Sequence, residues 1–251
     1  MDFLKRSGCY VTLIGLGLMA GTAFAQVGTI NSVIMQPRAF NDIPGALVTS
    51  LNNYPSLILF EERNVSAPGG FANRDVWQFS SNSGATAFAL NNNEFFQVSM
   101  TLSLTGTPTS PRKEAGFLLD TIGGQGQFIV NTDGHEVVAF GGPLPFYAFP
   151  ATYNSGDSIT LGMTYFKDGN GKNAIIYSAN GVNSPVLEFS NLEQGIITGS
   201  TLGGYFQIVN YPANAGNGGF AVFSSISIVP EPSALALLSL GLLPLLLRRR
   251  S

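Results

Sequence analysis

The chain has 251 residues, of which 45% are hydrophobic and 11% are charged, with one cysteine, one histidine and a formal charge of −3. These counts exclude a disulfide-stapled domain and disfavour a structural zinc site, because both need several cysteine or histidine side chains. The lack of a basic surplus argues against a nucleic-acid partner. An aromatic content of 11% is too high for a disordered chain, and the length fits one β domain with short appendages.

Residues 1–25 have the three zones of a secretory signal peptide. Two basic residues are followed by an apolar run at 11–20, which is too short to span a bilayer. Ala23 and Ala25 then supply the small side chains that a signal peptidase accommodates, with cleavage before Gln26. We therefore predict an N-terminal signal helix that is removed on export. The only cysteine lies within this segment, so the exported chain contains no thiol.

Residues 26–229 alternate between apolar and polar side chains in short runs separated by Gly, Asn, Asp and Pro, a pattern that predicts β-strands. The clearest strand runs from Glu94 to Leu104. Hairpin turns are predicted at Asp133-Gly134 and at 167–172. Helical periodicity is weak and confined to 46–51, where we predict a short turn. The pattern favours an all-β fold, an antiparallel two-sheet sandwich of jelly-roll type.

Four segments of this domain are similar to parts of the concanavalin-like jelly roll found in lectins and laminin-G-type modules. They are residues 114–120, 153–161, 167–172 and 220–228. The resemblance implies a sandwich fold that occurs both in sugar-binding modules and in glycoside hydrolases. An unrelated two-sheet sandwich is the alternative.

Residue types suited to catalysis are scarce in the predicted domain. His135 is the sole histidine, and it follows a turn where a polar residue is expected without any catalytic role. The Glu-x-Asp-x-x-Glu motif of laminarinase-type members of the resembled fold is absent. A carboxylate pair could still be assembled by the fold from four scattered acids, Glu94, Glu114, Asp120 and Glu136. We therefore predict that the protein is not an enzyme. The alternative is a polysaccharide-degrading enzyme that uses such a carboxylate pair.

Metal ligands are equally sparse. Asp168 and Asn170 offer oxygen atoms at alternate positions, as part of a calcium loop does, but a hairpin turn explains the same residues. We predict no cofactor, with calcium near these two residues as the alternative.

Aromatic and amide side chains are the candidates for ligand binding, because sugars pack on aromatic faces and offer hydroxyl groups to amides and carboxylates. The sole tryptophan and an aromatic-rich loop with the residues after it supply them: Trp77, Tyr147, Tyr153, Asn154 and Asp157. The alternative is that Trp77 and Tyr147 complete the core of the domain.

Residues 230–251 contain a Pro-Glu-Pro triplet, an apolar run and an arginine cluster, in this order: Pro230, Glu231, Pro232, 234–247, Arg248, Arg249 and Arg250. This order closely resembles a PEP-CTERM sorting signal. The resemblance implies removal of the tail near the triplet by an exosortase-type protease, and a Gram-negative host that makes an extracellular polysaccharide. The apolar run and the arginines imply a transmembrane helix that transiently anchors the body in the periplasm. An ordinary C-terminal membrane anchor is the alternative.

Removal of both ends changes the charge of the working protein. Residues 26–229 keep 7 of the 12 basic and 13 of the 15 acidic residues, a formal charge of −6. We predict an exported, exosortase-processed surface or extracellular-matrix protein, a non-catalytic binding or structural module that associates with extracellular polysaccharide in a biofilm matrix. Besides the enzyme, a self-associating structural protein without a small ligand remains an alternative.

Overall fold

Every regular element in the described part of the chain is a β-strand. The computed structural model describes residues 30–65, 70–92, 94–189, 195–209 and 218–230. The strands are, in chain order, β1 (Ser32–Asn41), β2 (Leu47–Asn53), β3 (Leu57–Arg63), β4 (Ala72–Ser80), β5 (Ala89–Leu90), β6 (Phe96–Thr107), β7 (Lys113–Thr121), β8 (Gly124–Asn131), β9 (Val137–Phe140), β10 (Tyr147–Ala148), β11 (Ser158–Lys167), β12 (Asn173–Ala179), β13 (Val182–Asn183), β14 (Leu187–Glu188), β15 (Ser200–Val209) and β16 (Gly218–Pro230).

These strands form two antiparallel sheets of eight strands each. Sheet A has the order β1-β4-β15-β7-β8-β9-β10, with β5 beside β15. Sheet B has the order β13-β12-β11-β6-β16-β3-β2, with β14 beside β12. The all-β, two-sheet sandwich predicted from the sequence is confirmed. The predicted signal helix and sorting helix lie outside the described residues.

The core lies between the two sheets and follows from the alternation in the sequence. On β6 every second side chain is buried, namely Phe96, Val98, Met100, Leu102 and Leu104. The residues between them face the other side of sheet B. The predicted hairpins are also present, since β8 pairs with β9 across Asp133-Gly134 and β11 pairs with β12 across 167–172.

The prediction of a short turn at 46–51 is wrong, because β2 (Leu47–Asn53) is a strand in this segment. It is an edge strand of sheet B, and within the described residues its pairing partner is β3. Six of its seven residues are exposed, so no buried face imposes a period of two on its sequence.

Two glycines in the centre of sheet A allow neighbouring backbones to approach closely. A Cβ on Gly116 of β7 would overlap the carbonyl oxygen of Phe128, and one on Gly203 of β15 would overlap that of Trp77. A side chain at either position would therefore push adjacent strands apart. Both glycines lie in the part of the sheet that carries the polar side chains described next.

Candidate functional site on the outer face of sheet A

The outer face of sheet A is the face that points away from sheet B. On β4, Trp77 and Phe79 point into the core between the sheets. Successive side chains of a strand point to opposite faces, so Arg74, Val76 and Gln78 lie on the outer face. Val76 accordingly belongs to a small apolar cluster separate from the main core.

A row of polar side chains crosses four strands on this face. In the register of the sheet, Gln207 of β15 lies between Arg74 of β4 and Glu114 of β7. Asn131 of β8 lies opposite Glu114 on the next strand. Because neighbouring strands are about 5 Å apart, residues distant in the chain are brought into one short line.

Hydrogen bonds connect this row to a tyrosine in the adjacent row. The Nε of Arg74 donates to Oε1 of Gln207 at 2.7 Å, and Nε2 of Gln207 donates to Oε1 of Glu114 at 3.0 Å. The hydroxyl of Tyr205 donates to the same Glu114 oxygen at 3.1 Å. The guanidinium carbon of Arg74 lies 5.2 Å from the centre of the Tyr205 ring, within cation–π range. One carboxylate, one phenol, one amide and one guanidinium thus form a continuous network.

The electrostatics of the network are set by burial. Burial raises the pKa of Glu114, although hydrogen bonding from Tyr205 and the charge of Arg112 oppose the increase. Burial also raises the pKa of Tyr205 well above its ordinary value, and the neighbouring Glu114 carboxylate adds to that increase. Arg112 lies at the rim, 3.9 Å from Glu114, 3.0 Å from Asp133 and 3.5 Å from Glu136.

Apolar side chains line the outer face beside the polar row. They form a cluster of their own, with Phe140 packed against it: Val76, Leu118, Ile129, Val138 and Tyr205. All five are buried although they point away from sheet B. Other groups on that side of sheet A therefore cover them.

Arg74 supplies part of this cover and reveals the curvature of the sheet. Its Nη1 donates to Oε1 of Gln125 at 2.7 Å. Gln125 is three strands away and six positions along β8 from Asn131, the residue in the row of Arg74. On a flat sheet this separation exceeds the combined reach of the two side chains. The outer face of sheet A is therefore concave, and Arg74 spans the concavity above Tyr205.

This arrangement can bind an anion and move a proton. The guanidinium of Arg74 can pair with a carboxylate in two parallel hydrogen bonds. The phenol of Tyr205 and the carboxyl of Glu114 share a hydrogen bond along which a proton can pass. The apolar cluster beside these groups would suit the C–H faces of a sugar once its cover moved aside.

The structure places two of the predicted ligand-binding residues in the core, which corrects that prediction for them. Trp77 is fully buried and packs edge-on against Phe79 and Phe223 at 5.2 and 5.8 Å. Tyr153 is 1% exposed, and its hydroxyl oxygen lies 2.7 Å from the backbone oxygen of Asp157 and 3.0 Å from that of Leu104. Neither ring offers a face to a ligand, because each fills space within the sandwich.

The other three predicted ligand-binding residues lie outside the concave face, with Tyr147 on β10 against the main core and Asn154 and Asp157 in the loop between β10 and β11. Tyr147 is half-buried and packs edge-on against Phe149 at 4.8 Å. Asn154 and Asp157 are exposed, and the carboxylate of Asp157 accepts two hydrogen bonds from Asn154 at 3.0 Å. A binding role for these three residues stays a prediction.

The other polar candidates occupy turns. The Nδ1 of His135 lies 2.9 Å from the backbone oxygen of Tyr153. Asp168 accepts the backbone N–H groups of Asn170 and Lys172, as expected in a tight turn. Among the described residues no group of three or more His, Cys, Asp or Glu side chains is arranged to hold a metal ion. Calcium near Asp168 and Asn170 stays a prediction.

The predicted targeting residues lie almost entirely outside the described part of the chain. This applies to Ala23, Ala25, Gln26, Glu231, Pro232, Arg248, Arg249 and Arg250. Pro230 is the last residue of β16, where it pairs with Phe96. Within the described ranges, no helix has the length and apolar character needed to cross a membrane.

Sequence reasoning named Glu114 among four scattered acids but missed Arg74, Tyr205 and Gln207. Arg74 and Gln207 are 133 residues apart, so only strand pairing brings them together. A weak signal was available, because Tyr205 and Gln207 occupy alternate positions of one strand, as do Arg74 and Gln78. That spacing places each pair on one face without showing which face it is.

Comparison with known proteins identifies the fold. No family model matches the chain, and no curated protein matches it. The structure is similar to the alginate lyase AlgAT5 from polysaccharide lyase family 7, with a TM-score of 0.52 and 11% identity over 72% of this chain and 82% of that one. The Bacteroides ovatus mixed-linkage glucan GH16 protein matches at a TM-score of 0.48, with 8% identity over 81% of this chain and 98% of that one. The alginate lyase Aly36B matches at 0.46, with 9% identity over 80% and 98%.

The similarity to AlgAT5 contradicts the prediction that the protein is not an enzyme. That prediction rested on the absence of a catalytic motif from the sequence. AlgAT5 is a lyase, yet it shares this fold at 11% identity, so a missing motif does not exclude catalysis on this scaffold. The network of Arg74, Gln207, Glu114 and Tyr205 supplies groups suited to catalysis that the sequence motifs did not reveal.

Proposed function

We propose that this protein is an exported enzyme that cleaves an acidic extracellular polysaccharide by β-elimination, with the concave face of sheet A as its active site. The observation that carries the proposal is the hydrogen-bonded network of Arg74, Gln207, Glu114 and Tyr205. It is supported by the fold shared with AlgAT5, whose substrate, alginate, is a polymer of uronic acids.

Elimination from a uronic acid begins with removal of the proton beside the sugar's carboxylate. That proton becomes acidic enough only when the negative charge of the carboxylate is balanced. Arg74 provides a fixed positive charge with planar donors, and Gln207 orients it from behind through Oε1. We assign Arg74 the role of binding the uronate carboxylate, with Gln207 as its positioning residue.

Tyr205 and Glu114 provide the proton transfer that elimination requires. The Tyr205 oxygen takes the proton from C5 as its own hydroxyl proton passes to Glu114, and the electron pair of the C5–H bond forms the C4–C5 double bond. The bond between C4 and O4 breaks, and O4 leaves with the electron pair of the C4–O4 bond. The proton held by Glu114 returns through Tyr205 to O4, so the pair ends the cycle in its starting state.

Tyr205 is covered in this structure, so substrate binding must uncover it. Arg74 forms part of the cover, and its Nη1 is held by one hydrogen bond to the exposed Gln125. A uronate carboxylate can replace Gln125 as the partner of Arg74 and draw the guanidinium away from the Tyr205 ring. The charge-assisted hydrogen bond from Arg74 to the carboxylate is stronger than the hydrogen bond to the neutral Gln125 amide that it replaces.

The targeting segments fit this function. We propose that signal peptidase removes residues 1–25 and that an exosortase-type protease cleaves near Pro230-Glu231-Pro232. Transient anchoring in the inner membrane, with the sandwich in the periplasm, would precede release to the cell surface or extracellular matrix. The enzyme would then meet the polysaccharide that its host exports.

The test is incubation of the purified exported protein with alginate and with a neutral glucan. We expect alginate to yield new chain ends that absorb ultraviolet light, because elimination leaves a double bond conjugated to the carboxylate. New reducing ends without this absorbance would instead show hydrolysis, which is the outcome expected if Glu114 and Glu136 act as a carboxylate pair around Arg112. No cleavage of any uronic-acid polymer would overturn the proposal.

A matched pair of arginine variants locates the site. Arg74→Ala removes the proposed carboxylate partner, so activity should fall by at least about 100-fold. Arg63→Ala removes an exposed arginine on β3 that forms an ion pair with Glu61 at 3.5 Å, and activity should stay at the wild-type level. Equal activity of the two variants would exclude the concave face as the active site.

A further inference from the structure

Two carboxyl groups meet in the interior where sheet A packs on sheet B. Glu62 of β3 is 1% exposed and Asp75 of β4 is fully buried. Asn73 and Asp75 lie two positions apart on the inner face of β4, and Asn73 donates a hydrogen bond to Glu62, so the Glu62 carboxyl lies beside Asp75. Each has one oxygen, Oε1 of Glu62 and Oδ2 of Asp75, for which the described residues provide no hydrogen-bond donor.

The other oxygen of each carboxyl group is held by a neighbour. The Nδ2 of Asn73 donates to Oε2 of Glu62 at 2.8 Å. The backbone N–H of Arg38 donates to Oδ1 of Asp75 at 2.7 Å. Asn73 is itself fixed by the backbone of Ile43, with which it exchanges hydrogen bonds of 3.0 and 3.2 Å. That leaves Oε1 of Glu62 and Oδ2 of Asp75 as two buried oxygens without a donor among the described residues.

Arg38 is the cation that faces the pair, but its guanidinium is engaged elsewhere. It donates to the backbone oxygens of Pro44 and Ala46. The residues paired with the two acids on the flanking strands carry no charge. They are Gly219 of β16 and Val48 of β2 beside Glu62, and Phe206 of β15 beside Asp75.

The remaining charged groups nearby are turned away from the pair. Lys113 passes beside Gly219, but its amine donates to the backbone oxygens of two prolines. Asp42 accepts the backbone N–H of Phe71 in an exposed loop. Glu61 and Arg63 flank Glu62 in sequence, and they point to the opposite face of sheet B and contact each other.

Two ionised carboxylates in contact, buried and without a dedicated cation, would repel each other strongly in a medium of low dielectric constant. A proton between the free oxygens removes the repulsion and satisfies both of them. We propose that Glu62 and Asp75 share one proton in the folded protein, and that this proton is a pH-sensitive latch between the two sheets. Its loss should loosen the end of the sandwich formed by Arg38, Ile43 and Asn73.

Burial determines the pH at which the latch opens. It raises the pKa of Glu62 from 4.5 to about 7, with a further contribution from Asp75. It raises the pKa of Asp75 from 3.8 to about 6, against the opposing effect of Arg38. Between about pH 4 and pH 7 the folded protein therefore holds protons that the unfolded chain has released. Stability is full below this window and falls as the pH rises through it.

The experiment measures the midpoint of thermal unfolding of the exported protein at about pH 5 and about pH 8. The wild-type midpoint should be higher at the lower pH, by roughly 5 °C. In Glu62→Gln the amide N–H replaces the shared proton and donates to Asp75 at every pH, so this difference should shrink to the part contributed by other groups, such as Glu114. Glu61→Gln is the matched control, since the adjacent side chain lies outside the core, and it should keep the wild-type difference.

Two results would overturn the latch. One is a wild-type midpoint that does not fall between the two pH values. The other is a Glu62→Gln variant that retains the wild-type pH dependence. If that variant does not fold, infrared spectroscopy of the wild-type protein tests the shared proton instead. A shared proton gives the carbonyl band of a protonated carboxyl group at about pH 6 to 6.5. Both acids would ordinarily be ionised at that pH. Absence of that band would also exclude the proposal.

Discussion

Tyr205 and Glu114 are 91 residues apart in the chain and are joined by one hydrogen bond of 3.1 Å. Burial raises the pKa of both groups, which keeps the phenol protonated and makes the carboxyl a better proton acceptor than an exposed one. Neither residue would attract attention in isolation. Their pairing, beneath the guanidinium of Arg74, creates a chemically distinct site.

The role of this pair is tested by Tyr205→Phe. The variant keeps the ring that packs in the apolar cluster and removes only the hydroxyl that transfers the proton. The maximal rate of alginate cleavage should fall by about 100-fold or more, whereas the KM should change little because Arg74 still binds the carboxylate. Steady-state kinetics measure both quantities.

The matched control is Tyr177→Phe, which removes a buried tyrosine hydroxyl from sheet B. That hydroxyl donates to the backbone oxygen of Pro145, away from the concave face. Its loss should lower stability by about 1 kcal/mol and leave the rate unchanged. A wild-type rate in Tyr205→Phe would exclude the proposed proton transfer.

Residue rarity was a poor guide to the site. Trp77 was a candidate because it is the only tryptophan, but its size and burial fit it to the core, where it contacts Phe79 and Phe223. Arg74, three positions earlier, points to the opposite face and lies in the network. The sequence shows that the two residues face opposite sides of a strand. Only the second sheet, which covers one side, shows which of them is accessible.

At the scale of elements, alternation was informative where one face of a strand is buried. It identified β6 and the hairpins β8–β9 and β11–β12, whose inner residues pack in the core. It failed for β2, whose exposed residues carry no such pattern. The order of strands within the sheets was beyond prediction, because β15 lies between β4 and β7 through contacts that no local pattern records.

The close packing of β7 against β8 gives a prediction for Gly116. In Gly116→Ala the new methyl group would overlap the carbonyl oxygen of Phe128, and strand pairing must shift to admit it. The free energy of unfolding should fall by about 1–3 kcal/mol, as is typical of overpacked sites. Denaturant unfolding measures the change. Gly169→Ala is the control, because no atom lies within 4 Å of a Cβ at that turn, and a loss of stability equal to that of Gly116→Ala would contradict the packing argument.

At the scale of the whole molecule, the two ends of the chain carry a surplus of basic residues and the body between them a surplus of acidic ones. Five of the 12 basic residues lie in the predicted targeting segments, and residues 26–229 carry a formal charge of −6. A body of this charge repels an acidic polymer at long range, so recognition depends on local contacts such as those of Arg74. Salt screens the long-range repulsion, whereas a partly buried ion pair is screened less.

The sorting signal predicted at the C-terminus bears on the final location of the protein. β16 ends at Pro230, which pairs with Phe96, and Glu231 follows directly. A protease that recognises the Pro-Glu-Pro triplet would therefore cut at the margin of the sandwich without unfolding it. The apolar run at 234–247 is shorter than the roughly 20 residues of a secure transmembrane helix, which suits temporary anchoring.

If this interpretation holds, Glu231→Ala should block processing in a host with the exosortase-type protease. The variant should keep the mass of its C-terminal segment and stay in the membrane fraction, whereas the wild-type protein should lose that mass and leave the membrane. Mass spectrometry and fractionation measure both properties, and Ser233→Ala, next to the triplet, should behave like wild type. A wild-type protein that retains the tail would show an ordinary membrane anchor instead. In that case the protein would stay tethered to the membrane through the segment that follows β16. The concave face of sheet A would then act on polysaccharide at the cell.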